Sequence, residues 1–286
     1  MKLSLCLATH NEEINLPACL ESVKDLVDEI VIVDGKSKDK TVEIAKKYGA
    51  RVINADNPPM FHINKEKALR QAQGEWVLQL DADERISHAL AAEIRSVIHM
   101  SEKKLTEYEK NLPNKKLFIR NQKMIEKEQG KIGENTERYV AFFLPRLNYF
   151  LGTYLRHGGV YPDGAIRLVK KGKAYFPCKD VHEVMKVEGR VGWLQNPLLH
   201  YDSPTFKRYI ERNNRYINMM VSQFNKEKLS KDTITLLDYL IIRPFVWFFS
   251  TQIRHKGILD GWQGIVFSFF SALRFPKAYL RYILSQ

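Results

Sequence analysis

Residues 78–87 read LQLDADERIS, so three carboxylates, Asp81, Asp83 and Glu84, fall within four positions directly after an apolar run. Carboxylates at i and i+2 converge on one cation when the backbone turns beneath them. Mg²⁺ and Mn²⁺ take oxygen ligands and leave positions open for phosphate oxygens. A D-x-D at the carboxyl end of a strand therefore suits a metal that bridges protein and diphosphate. Such triplets are common in solvated turns, but here a strand-like EWVLQL precedes the triplet and a helix-like SHALAAEIRSVI follows it. Glu84, an acid close to a helix start, is expected to serve the positive end of that helix.

Elements that position these residues follow from apolar periodicity. LSLCLA (3–8), EIVIVD (29–34), RVINA (51–55) and EWVLQLD (75–81) are short apolar or β-branched strand candidates. Helix-like segments at 12–25, 39–48 and 64–73 lie between them. Strand, helix, strand at this spacing implies an α/β fold, a mostly parallel sheet flanked by helices. Ligands of open α/β sheets bind outside the carboxyl ends of the strands. Three strands end in polar clusters, THNEE (9–13), DGKSKDKT (34–41) and DADE (81–84), which parallel pairing would bring to one edge.

Residues 101–138 are charged, of mixed sign and poor in apolar side chains, which predicts a solvated helical insertion, with an acceptor-guiding lid as the sharper alternative. Short strands such as AIRLV and AYFPC, with many glycines and aromatics, predict that 139–204 forms a smaller β-containing acceptor-side half. The expected organisation is a domain over 1–204, with 1–100 as its ligand-binding half, and a helical region over 205–286.

Of the formal charge of +12, residues 207–286 carry 13 Lys/Arg against 5 Asp/Glu. Basic helices with an apolar face lie in membrane interfaces and gain attraction from anionic lipid. The alternative is that they pack on the protein itself. A non-catalytic basic protein for lipid or RNA is the reading from a different class, but no RNA-module signature is present and nucleic acid is not an expected partner. The longest apolar stretch, LLDYLIIRPFVWFF (236–249), is interrupted by Asp238, Arg243 and Pro244. Cys6, Cys19 and Cys178 lack metal-ligand spacing and fit a reduced, cytoplasmic chain. The apolar run at the N-terminus is too short for a signal peptide.

THNEE, VDGKSKDKT, the Lys-rich helix ending in AQGEW, and LQLDADE together resemble the GT-A fold of inverting family 2 glycosyltransferases, in order through residues 3–88. YFLG, HGGVYPDGAIRLVKKG, VHE and KGILDGWQG extend the likeness to the branch that includes lipopolysaccharide-core β-1,4-glucosyltransferases. The resemblance implies that Thr9, His10, Asn11 and Glu12 form the first nucleotide-contacting loop and that Asp34 contacts the base. Lys65 or Lys67 would stand near the diphosphate. Asp81 would contact the ribose or a metal water, and Asp83 would ligate a divalent cation, Mg²⁺ or Mn²⁺. His182 is either a third metal ligand or a loop-orienting residue; His200 is a weaker candidate. Arg167 is either a buried structural arginine or a binder of acceptor phosphate.

Inversion needs a base opposite the leaving group, and CKDVHE offers Glu183 first and Asp180 second. The implied donor is a nucleotide-diphosphate sugar, by resemblance UDP-glucose. The implied acceptor is a lipopolysaccharide-core or other lipid-linked glycan, met by a peripheral protein on the inner face of the cell membrane. A polyprenyl-phosphate sugar synthase, which shares the donor half, is the alternative enzyme.

Overall fold

The computed structural model describes residues 2–134, 136–179 and 183–284. Asp180 and His182, two of the expected site residues, lie outside the described residues. The chain divides into two compact units, 1–146 with 162–200, and 147–161 with 201–286. The second unit thus takes in 147–161 as well as the tail.

The first unit opens with β1 (Leu3–Thr9), α1 (Leu16–Glu21), β2 (Glu29–Asp34), α2 (Thr41–Lys47), β3 (Arg51–Asn54), α3 (His62–Gln71) and β4 (Trp76–Gln79). Strands β3, β2, β1 and β4 are neighbours in that order, and all three pairings are parallel. β1 and β4 are buried almost throughout, which is why both read as continuous apolar runs rather than alternating ones. Thr9 stands beside Asp34, and Cys6 beside Gln79, so the polar clusters that follow these strands share the carboxyl edge.

Next come β5 (Glu84–Ile86), α4 (His88–Ile98), α5 (Glu102–Lys110), α6 (Lys115–Gln129) and β6 (Tyr139–Phe150). Ser87 caps α4 by accepting the Leu90 N–H, and Leu90, Ile94, Val97 and Ile98 are its buried side. β7 (Thr153–Tyr154), β8 (Asp163–Lys170), β9 (Ala174–Tyr175), β10 (Lys186–Val187), β11 (Arg190–Trp193) and β12 (Leu198–Ser203) complete the strands. β8 pairs antiparallel with β4 and β6, and β12 pairs antiparallel with β5, with His200 opposite Glu84. The fold is α/β, with a parallel N-terminal half extended by antiparallel strands.

The charged segment 101–138 is helical and most of its described residues are exposed, as expected of a solvated insertion. It is nevertheless anchored: Leu105, Leu112, Phe118 and Ile132 are buried, and Phe118 stacks on Trp193, which stacks in turn on Phe143. Gly164 in β8 lets the Trp193 ring approach: a Cβ there would lie 2.3 Å from the ring.

In the second unit, α7 (Phe206–Glu227) buries Ile217 and Phe224 against Tyr239, Tyr279 and Tyr282. The stretch around 236–249, interrupted in sequence, runs as one helix, Thr233–Arg254, long and apolar enough to cross a membrane by length and composition. The helices Gly261–Ala272 and Arg274–Leu284 follow it.

Candidate functional site

The first two strand ends are locked to each other. Asp34 is buried at 1% exposure and accepts from Thr9 Oγ1 (3.0 Å), the Ser37 N–H (2.8 Å) and Ser37 Oγ. The Asn11 N–H donates to Ser37 Oγ and the Lys38 N–H to Asn11 Oδ1, each at 2.8 Å. The Glu12 N–H donates to Thr41 Oγ1, and a His10 ring nitrogen lies 2.8 Å from the Gly35 carbonyl. Asn11 and Lys36 both take left-handed backbone, with φ of 55° and 59°. Thr9, His10, Asn11, Glu12 and Asp34 are therefore brought together by the two loops. The Asp34 carboxylate, however, points into this loop lock, and it is the loops it holds that line the edge.

The third strand end carries the densest charge. Asp81 is paired through one oxygen with Lys65 of α3 and through the other with Arg167 of β8 at 2.6 Å. Arg167 also donates to Glu84 Oε1 at 2.7 Å and to Gln79 Oε1, and Arg146 Nη1 lies 3.8 Å from Glu84 Oε1 while its Nη2 pairs with Asp163 at 2.8 Å. Burial acts to raise the Asp81 carboxyl, but the charges of Arg167 and Lys65 outweigh it and hold the group well below the usual carboxylate range. Burial pushes the Lys65 ammonium down, opposed by the Asp81 charge. Of the two candidate lysines, Lys65 meets Asp81, while Lys67 is exposed and lines a separate depression with Lys36, Asp56 and Asn64.

Glu84 is not a helix-start residue. It is fully buried in β5, its carboxylate accepts the Asp81 N–H at 2.9 Å as well as Arg167, and Ser87 is the cap of the following helix. A carboxylate with a buried arginine to neutralise has no reason to turn to a helix dipole, which is the weaker attraction. Arg167 is the structural arginine of the two alternatives: it holds the D-x-D turn closed.

Asp83 is partly exposed, with His200 Nε2 at 3.7 Å from its Oδ2. Burial acts to raise its carboxyl, and the neighbouring His200 prevails and lowers it. The structure thus places His200, the candidate ranked lower from sequence, beside Asp83. The available signal was that LLHYD puts one histidine into an otherwise apolar strand; its partner, more than a hundred residues earlier in the chain, has no local trace there. A carboxylate and an imidazole side by side fit two positions of a divalent cation's shell, the rest falling to water and phosphate oxygens. Among the described residues no group of three or more His, Cys, Asp or Glu is arranged to hold a metal alone.

Glu183 lies in the loop between β9 and β10. Its carboxylate accepts the backbone N–H groups of Cys178 and Lys179, the latter at 3.0 Å, and lies 3.8 Å from His62 Nδ1. Cys178 adopts φ 57°, which turns its N–H inward. In this arrangement Glu183 fastens its own loop.

The family described as glycosyl transferase family 2 matches residues 4–95. The lipopolysaccharide core biosynthesis glycosyltransferase LpsC of Rhizobium meliloti is 25% identical over 301 residues, 99% of this chain and 94% of that protein. An uncharacterized glycosyltransferase of Rickettsia typhi is 24% identical over 96% of this chain and 86% of its own length. A TPR repeat-containing protein of Synechococcus elongatus is 39% identical over 101 residues, and the match spans only 25% of its length. Among solved structures, glucosyl-3-phosphoglycerate synthase from Mycobacterium tuberculosis, in complex with Mn²⁺, UDP-glucose and phosphoglyceric acid, aligns over 29% of this chain and 34% of its own at 26% identity and a TM-score of 0.27.

Proposed function

We propose that the chain, whose residues 4–95 match the family described as glycosyl transferase family 2, is an inverting transferase. It would move a sugar from a nucleotide-diphosphate donor, by preference UDP-glucose, to a lipopolysaccharide-core or other lipid-linked glycan. The observation that carries this reading is the carboxyl edge of β1, β2 and β4, where the 9–13 and 34–41 loops stand with Asp83, His200, Lys65 and Arg167. The likeness to LpsC across nearly the whole chain supports the acceptor class.

In the reaction the acceptor hydroxyl oxygen forms the new bond to the anomeric carbon. The bond from that carbon to the diphosphate breaks with its electron pair on the departing phosphate. Charge therefore grows on the diphosphate, and preorganised cations at that position favour the transition state. Lys65 and Arg167 present fixed positive charge at the edge, tempered by Asp81 between them. Asp83 and His200 are the pair that would hold a Mg²⁺ or Mn²⁺ ion, which supplies Lewis-acid neutralisation of the leaving group. Asp81, engaged on both oxygens, would orient Lys65 and could accept from the ribose through a further lone pair.

The acceptor proton goes to a carboxylate of the loop containing CKDVHE, Glu183 by order of preference and Asp180 second. Glu183 is already engaged by the amides of Cys178 and Lys179. That engagement also favours one alternative, a polyprenyl-phosphate sugar synthase, whose phosphate nucleophile is already ionised and needs no base. Two substitutions test this account. Asp83→Ala should abolish turnover while leaving the fold intact, and normal transfer by that variant would remove Asp83 from the metal site. Glu183→Gln should reduce kcat by about two to four orders of magnitude with KM for the donor kept; full activity toward a polyprenyl phosphate would instead establish the synthase.

A further inference from the structure

The second unit carries a large apolar surface that its own packing leaves bare. In the helix Thr233–Arg254, Phe245 is 64% and Ile253 70% exposed, and Ile241, Ile242, Val246 and Phe249 are exposed with them. The surface continues past the turn into Ile258, Leu259 and Trp262, the last 58% exposed. Soluble monomers rarely expose contiguous apolar patches beyond a few hundred Å². Only Tyr239, Thr251 and Gln252 of the same helix are buried, and a few contacts tie it to the unit. Tyr239 stacks on Tyr279, Trp247 meets Phe275 edge-on, and Gln252 donates to the Gly264 carbonyl and to Ser268 Oγ. Gly257 and Gly264 allow this closeness, since a Cβ on Gly264 would lie 2.0 Å from the Gly257 carbonyl oxygen.

Charge selects the occupant. Within 233–284 there are six Lys/Arg and two carboxylates. Both carboxylates are engaged: Asp238 pairs with Arg243 at 2.6 Å, and Asp260 accepts the backbone N–H groups of Arg156 and His157 and faces the His157 ring at 2.8 Å. Arg254, Lys256, Lys277 and Arg281 stand exposed with no acidic counterpart on these helices. Aliphatic and aromatic side chains bordered by tryptophan and exposed cations match an anionic lipid surface.

We propose that this face docks in the plane of an anionic bilayer, with Phe245, Phe249, Ile253 and Trp262 in the acyl boundary and the basic residues among the headgroups. The helix is long enough to cross, but its contacts with Phe275, Tyr279, Gly264 and Ser268 tie it to the unit, which favours a placement along the membrane. The inference deepens the reading of a lipid-linked acceptor, from which it takes only its purpose. Docking itself requires neither donor nor acceptor, so a failure of docking and a failure of transfer are separate results.

Deletion of the helix would uncover Ile217 and Phe224, so exposed side chains are changed singly instead. The full chain is floated with vesicles of phosphatidylcholine, and of phosphatidylcholine with an equal part of phosphatidylglycerol. Binding is expected to the anionic vesicles, to fall with added salt, and to be released at alkaline carbonate pH. Trp76 and Trp193 are buried, so a blue shift of tryptophan emission on binding reports Trp247 and Trp262. Phe245→Ser and Trp262→Ser should each lower partition roughly tenfold, with melting unchanged. Partition unaffected by the double variant overturns the proposal. A self-association that the same variant dissolves, with partition unaltered, makes a second copy the occupant and also overturns it. Retention after carbonate overturns the in-plane placement.

Discussion

Asp81 meets an ammonium and a guanidinium, and Asp83, two residues on, meets an imidazole; their surroundings separate their work. Asp81 is the counter-charge that makes two cations tolerable at a buried strand end. Removing one member of such a set leaves charge unpaired, which costs about 3–5 kcal/mol. Asp81→Asn is therefore expected to lower unfolding free energy by about that amount at neutral pH, measured by urea denaturation. The pH dependence has a definite sign. The folded carboxyl of Asp81 lies below its unfolded value of about 3.9. Between the two values the unfolded chain binds more protons, so this stabilisation is complete above the unfolded value and is lost as pH falls through the folded one. Asp83, also lowered, adds in the same direction. The Asp81→Asn variant should show a shallower loss of stability on acidification than the native chain.

At the scale of elements, what the sequence disclosed depended on how local the cause was. β1, β2 and β4 are legible because strands covered on both faces must be apolar throughout. The first helix is shorter than its pattern, Leu16–Glu21 against an expected 12–25, because both ends tighten into turns: the Asn15 N–H donates to the Glu12 carbonyl, the Val23 N–H to Leu20 and the Leu26 N–H to Val23. Burial of Glu84 was not legible, since its neutraliser Arg167 is 83 residues away and the three-residue strand ERI has no period to read. An arginine inside AIRLV was the available hint, because a charge in an apolar strand requires a buried partner. In α5 and α6 the few apolar residues were diluted by charge, though they are the ones that matter. Phe118→Ala should cost about 3–5 kcal/mol, whereas alanine at the exposed Met124 should change stability by less than about 0.5 kcal/mol. Equal, negligible effects in thermal melts would mean that the segment is not anchored through Phe118.

Over the whole molecule, charge and chemistry are distributed unequally. The first unit holds the parallel edge and its balanced ion pairs, and most of the net positive charge lies in residues 207–286, with 13 Lys/Arg against 5 Asp/Glu. Neither property requires the other, and each has its own readout: lipid for the tail and nucleotide for the edge. The claim on which the functional account depends is that the edge holds a nucleotide-diphosphate sugar together with a divalent cation. It is tested most directly by melting the full chain with a panel of nucleotide sugars, with and without Mn²⁺ or Mg²⁺. A ligand at a hundredfold excess over Kd stabilises the native state by about 2.7 kcal/mol, a rise of about 5 °C or more for a chain of this size. The account predicts that rise for UDP-glucose only with the cation present and only when Asp83 is intact. A melting point that no nucleotide sugar moves, or one that moves equally without cation and in Asp83→Ala, would contradict it.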